Sequence, residues 1–150
     1  MYLKVQSKMI FNYLKEKGFK VGVKGRIKTL KWIKNKKSFM IEFVKGYFDT
    51  DGSVNFKNKE GKLYPTISIG SKSDLLLKEM KSFLTKQGIN SYFATIKHHG
   101  ERYKQPFKTY QLQINGYKRI LLWFSKIGSN NSRNINRFHE MIKLRLLKCL

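Results

Sequence analysis

Acidic residues are what this 150-residue chain most lacks: 9 Asp and Glu stand against 32 Lys and Arg, a formal net charge of +23 at pH 7. Self-repulsion on that scale disfavours a compact state unless something neutralises it, so the charge points to a polyanionic partner. Long apolar runs are missing as well. The longest, Ile120 to Phe124, is far too short to cross a bilayer, and the first twenty residues scatter Lys where a signal peptide needs a clean apolar core. Nucleic acid is therefore favoured over a membrane. Cysteine occurs once, at Cys149, which excludes an intramolecular disulfide and a Cys-rich zinc site. An intracellular, reducing compartment is the expectation, cytoplasm or nucleoid, with an organelle also compatible.

What remains is enough for one domain: 41% of the residues are apolar, which suits a folded globule of this length. Leu3 to Lys17 has Leu3, Ile10, Phe11 and Leu14 at roughly helical spacing, with Gly18 as a stop. From Lys17 to Ile41 there are nine Lys or Arg and no acid, which reads either as a solvated linker or as a basic arm that tracks phosphates. The chain thus divides into a basic N-terminal helix and arm, residues 1–37, and a core, residues 38–150, within one compact unit.

The core alternates helices and hairpins. A helix over Ser38 to Asp49, with Ser38 as its N-cap, ends at Gly52 in a left-handed conformation. Strands over Ser53 to Asn58 and Lys62 to Gly70 flank a short turn containing Gly61, and Pro65 suggests an edge position or a bulge. A helix capped by Ser73 runs to Gln87. Strands over Asn90 to Lys97 and Phe107 to Asn115 follow, then helices over Gly116 to Lys126 and Ile135 to Leu147. The two hairpin-helix units look like an internal repeat, which predicts an α+β fold in the order αββαββα, with a four-stranded antiparallel sheet and extra helices at both ends.

Alternation along the strands gives the sheet one apolar face and one polar face. The polar face carries Ser53, Asn55 and Lys57 on the first strand, Tyr64, Thr66 and Ser68 on the second, and Gln111, Gln113 and Asn115 on the last. Lys97, Arg102 and Lys104 extend it through the second hairpin. On a basic protein such a face is a candidate for reading base edges of double-stranded DNA, since amides pair with adenine and cations with guanine.

Between the basic arm and the first strand lies Phe43-Val44-Lys45-Gly46-Tyr47-Phe48-Asp49-Thr50-Asp51-Gly52. Two carboxylates at a helix's C-terminal end face its partial negative charge, so a cation is expected nearby, and a hard divalent metal fits two carboxylates with substrate phosphates. The same spacing also serves a loop in which both Asp make only local turn bonds.

Val44 to Gly52 resembles the signature of the LAGLIDADG homing endonucleases, with Gly46, Asp49, Asp51 and Gly52 in place and Lys45 and Thr50 where that signature has alanine. The resemblance, with the element order, extends over about Ser38 to Leu147 and implies a homing-endonuclease-like fold. Because the motif occurs once, it implies a homodimer whose motif helices pack about a two-fold axis through Gly46, Phe43, Tyr47 and Thr50. It also implies that Asp51 is the metal ligand beside the scissile phosphates, with Mg²⁺, or Mn²⁺ or Ca²⁺ in its place, and that Asp49 is structural. Double-strand cleavage of a pseudo-palindromic site leaving short 3′ overhangs follows from the same resemblance. Stabilising the developing charge calls for a basic residue, for which Arg133 and Lys118 are the candidates. Two other readings keep the fold and the basic surface: an RNA-binding intron maturase, and a DNA-binding regulator that does not cut. A zinc nuclease using His98 and His99 is disfavoured because no third ligand is apparent.

Overall fold

The computed structural model describes residues 7–19, 26–99 and 105–146. Among them are six helices and four strands: α1 Lys8–Glu16, α2 Lys31–Lys34, α3 Lys37–Asp51, β1 Gly52–Lys59, β2 Lys62–Ser71, α4 Asp74–Lys86, β3 Tyr92–His98, β4 Phe107–Asn115, α5 Tyr117–Lys126 and α6 Ser132–Leu146. The strands form one antiparallel sheet in the order β1-β2-β4-β3. The α+β architecture is therefore the expected one, with the short α2 as an addition.

Local chemistry sets the boundaries. Lys59 pairs with Lys62 across Glu60 and Gly61, whose φ values of 52° and 74° make the tight two-residue turn that twisted hairpins prefer. Ser73 caps α4 by accepting from Leu76 N at 3.3 Å. Ser38 does not cap α3; the helix begins a residue earlier, behind Lys36, and no side chain caps it. Pro65 sits in an inner strand with no bulge. Its carbonyl accepts from Gly116 N at 3.0 Å, one step beyond the last β2–β4 pair, Thr66 with Asn115. The missing proline N–H thus falls where the ladder has already ended.

Helices cover one face of the sheet. Val54, Ile67, Ile69, Leu112 and Ile114 are buried from the strands, against Val44 and Phe48 of α3, Leu76, Leu77, Met80 and Leu84 of α4, and Trp123 of α5. Phe48 and Trp123 meet edge to face, with ring centroids 5.0 Å apart, which sets the motif helix against α5.

The segment before α3 is packed, not merely basic. Ile33 belongs to the core, and Thr29 N donates to Glu79 Oε2 at 2.7 Å. Arg26 grips Asp74 with two bonds of 2.7 and 2.8 Å, and Lys78 adds a third at 3.1 Å. The Arg26 guanidinium holds the Asp74 carboxyl well below the usual carboxylate range. A lowered folded-state pKa contributes stability that is present above about pH 4 and is lost as pH falls through the folded value. Arg26→Met is therefore expected to move acid unfolding, followed by circular dichroism, to higher pH. An unmoved transition would show that this clasp does not hold the arm.

Candidate nucleic-acid interface and carboxylate site

The motif helix ends without a loop. Asp51 is the last helical residue and Gly52 the first of β1, with φ −111° and ψ 167°. The left-handed conformation expected at Gly52 is absent. The glycine is needed for a different reason: a Cβ there would lie 2.3 Å from Phe48 Cδ2 and 2.6 Å from Phe48 O. Only a residue without a side chain lets the strand leave so close to its own helix.

The two carboxylates of the motif have different fates. Asp49 is consumed: Oδ1 accepts a short bond from Ser129 Oγ, Oδ2 accepts from Asn130 N at 2.9 Å, and its backbone carbonyl accepts from Asn131 Nδ2 at 2.8 Å. It thereby ties the loop between α5 and α6 to the motif. Asn131 in turn caps α6, accepting from Arg133 N at 3.0 Å. Asp51 is exposed, and its carboxylate has one hydrogen bond among the described residues, 3.4 Å from Thr50 Oγ1, and no ion pair.

An unneutralised carboxylate at a helix C-terminus in a chain of +23 is the arrangement a hard cation fits. Among the described residues no group of three or more His, Cys, Asp or Glu gathers to hold a metal. Among the described residues the carboxylate left free at this site is that of Asp51, and further oxygen ligands could come from backbone carbonyls, phosphate, water or a second copy. His98 is otherwise engaged, 2.8 Å from Thr109 Oγ1 and stacked on Phe107.

Asp51 opens onto a pocket of about 410 Å³ that it shares with Tyr47, Ser71, Lys72, Thr109 and Gln111. Burial raises the Tyr47 hydroxyl above the ordinary tyrosine value, with the Asp51 charge adding to it. The phenol stays protonated and donates to Gly70 O at 3.2 Å. Of the two basic residues singled out from sequence, Arg133 is beside the site, its Nη2 donating to Gly52 O at 3.1 Å. Lys118 is not brought there. It lies in the first turn of α5, just past Gly116, which is level with Pro65 and Phe56, four residues from Gly52 and so roughly 13 Å away along the strand. Lys72 was missed, because a lone Lys after a strand carries no signal until the fold brings it to the pocket it shares with Asp51.

The register puts Ser53, Asn55, Lys57, Tyr64, Thr66, Ser68, Gln111, Gln113 and Asn115 on one face, opposite the helices. Lys57 donates to Gln113 at 2.9 Å, Gln113 to Gln111 at 2.6 Å, and Asn55 to Ser53 at 2.7 Å. Such solvent-facing bonds are worth little net and exchange readily for base edges. Thr66 departs from the expectation: it is 1% exposed and donates to Asn115 Oδ1 at 2.9 Å, so it positions the amide from beneath. Lys97 pairs with Lys108, on the face of Leu112 and Phe93, not on the polar one. Arg102 and Lys104 lie outside the described residues.

On α3 the buried stripe is Met40, Val44 and Phe48, and the far side exposes Phe39, Gly46 and Thr50, with Phe43 and Tyr47 half-buried. A Cβ at Gly46 would meet nothing within 4 Å. Thr50 turns its hydroxyl to Gly46 O and Tyr47 O, at 3.3 and 3.1 Å, so its own helix satisfies the hydroxyl. Lys45 points away, paired with Glu42 at 2.8 Å and packed near Gly128. The two departures from the alanine positions therefore add neither a free charge nor an unsatisfied hydroxyl to this side of α3, whose own charged residue is the exposed Glu42 beside Gly46.

Residues 38–143 match the family model of the LAGLIDADG-like domain. A 108-residue stretch is 34% identical to the probable translation initiation factor IF-2 of Methanocaldococcus jannaschii, covering 69% of this chain and 8% of that protein. The chain thus spans under a tenth of the length of that curated relative.

Proposed function

Since the chain belongs to the LAGLIDADG-like family of homing endonucleases and maturases, we propose that the protein is a site-specific DNA endonuclease acting as a homodimer. The observation that carries the reading is Asp51: an exposed carboxylate without an ion pair among the described residues, opening onto a pocket with Lys72 and flanked by Arg133. A binding module in a chain of +23 would have little use for an unneutralised acid at a helix end. The similarity to a stretch of a much longer initiation factor agrees with a domain carried inside a host gene.

Two copies would pack along the exposed stripe of α3, bringing one Asp51 from each toward a pair of scissile phosphates. The Asp51 carboxylates would hold divalent cations, Mg²⁺ above all, which supply Lewis-acid activation of water and of the leaving 3′ oxygen. The chain's own residues orient the substrate. Arg133 and Lys72 would balance charge on the phosphate. The polar sheet face reads base edges, while the N-terminal segment, residues 1–37, acts as a basic arm along the backbone.

The test is incubation of the full chain with a randomised duplex library, with and without Mg²⁺. Metal-dependent double-strand cuts at one pseudo-palindromic site with short 3′ overhangs are expected. Tight binding without cuts would replace the nuclease with a regulator, and preference for structured RNA would replace it with a maturase. If six to ten side chains neutralise phosphates, affinity should also fall about 10³ to 10⁵-fold between about 50 and 200 mM salt.

A further inference from the structure

Farther along the sheet from Asp51, where β4 runs into α5, lies an open pocket of about 560 Å³ lined by Asn115, Gly116, Tyr117, Lys118, Arg119 and Arg145. Three of its six lining residues are cations and none is an acid. Among the described residues, ion pairs take up Arg26, Lys34, Lys45, Lys78 and Arg137, and none of the three cations here. Two of them, Lys118 and Arg119, occupy the first turn of α5, which contains no acid and whose N-cap Gly116 offers no side-chain bond. Bases at that end oppose the helix dipole, a cost that a bound anion reverses.

Two of the three cations are also held in place, from different elements. Arg119 Nη1 donates to Asn115 O at 3.2 Å. Arg145, from α6, sits over the Tyr117 ring at 5.5 Å from its centroid. Asn115 belongs both to this pocket and to the polar face, so the pocket is continuous with the surface that faces DNA.

We infer that this pocket is an anchor for a backbone phosphate of the DNA flanking the bases read by the sheet, fixing the outer limit of the bound duplex. The inference rests on the nucleic-acid reading above. It gives Lys118 a place in holding DNA at a distance from the scissile bond.

The experiment uses fluorescence anisotropy with a duplex cleaved by the wild type and with a random duplex, over a series of salt concentrations. The double variant Arg119→Gln, Arg145→Gln should bind both duplexes more weakly by the same factor. Its log-affinity against log-salt slope should be shallower by about one for each phosphate that is no longer neutralised. Single-turnover cleavage at saturating DNA should be unchanged, and Arg119→Lys should keep the wild-type slope. A single uncharged methylphosphonate placed outside the base-read segment should weaken the wild type at one position and leave the double variant indifferent there. An unaltered slope, or no such position, overturns the anchor while leaving the nuclease standing. Failure of the wild type to bind any duplex overturns both.

Discussion

Asp51→Asn is expected to lower double-strand cleavage at saturating DNA on the order of 10³-fold while leaving binding intact and the fold slightly more stable. The loss follows from removing the one exposed, unpaired carboxylate at the proposed cutting site, in the range found when a charge-stabilising group is taken from a preorganised centre. The gain in stability has a separate cause. Asp51 sits at the C-terminal end of α3, where the helix dipole repels an anion by about 0.3–1 kcal/mol. An amide removes that repulsion and fits the same space. Binding should not fall, because the variant is more positive by one charge. Opposite movement of activity and stability is the signature of a functional carboxylate. Single-turnover cleavage and thermal melting on the same preparation would measure both. A variant that cuts at the wild-type rate would remove Asp51 from the chemistry.

Asp49→Asn should fail differently, and the contrast shows what the sequence could and could not reveal. Both residues are Asp, two positions apart, and nothing local separates them. The distinction comes from Ser129 and Asn130, some eighty residues away, whose bonds to Asp49 exist only once the chain has folded. The polar run Ser129 to Asn134 could be read as a linker, but not as the clamp it forms.

Local signals were legible where local physics decides. Ser73 as a cap, the Glu60-Gly61 turn and the bounds of β4 need only neighbours in sequence. Face assignment needed more. Phe93 and Ile96 are both apolar but point to opposite faces, so period-two counting along β3 has two starting points. The register fixes Phe93 against Leu112, which turns Lys97 toward the helices. Gly52 was the wrong kind of glycine for the same reason, because the crowding that excludes a Cβ comes from the helix-to-strand junction and not from a turn.

Gly46→Leu should separate folding from assembly as sharply as Asp51→Asn separates folding from chemistry. Gly46 is exposed in the middle of α3, and a Cβ there meets no atom within 4 Å beyond its own helix. Within one chain the substitution therefore displaces no neighbour at its Cβ. It removes a poor helix former, which is worth about 0.5–1 kcal/mol. The isolated fold should melt at a higher temperature. At a two-fold helix contact, however, glycine permits backbones to approach closely, and a leucine from each copy would be forced into the same small space at the axis. Sedimentation should then show a monomer at concentrations where the wild type is a dimer. Double-strand cleavage should drop by about two orders of magnitude or more, because two active sites no longer face one duplex with fixed spacing. A more stable protein that remains dimeric and cuts normally would place the interface elsewhere than on the stripe formed by Phe39, Phe43, Gly46 and Thr50. A stable monomer that still binds a half-site would tie the loss to assembly, since the polar sheet face proposed to read the half-site lies on β1, β2 and β4 and not on α3.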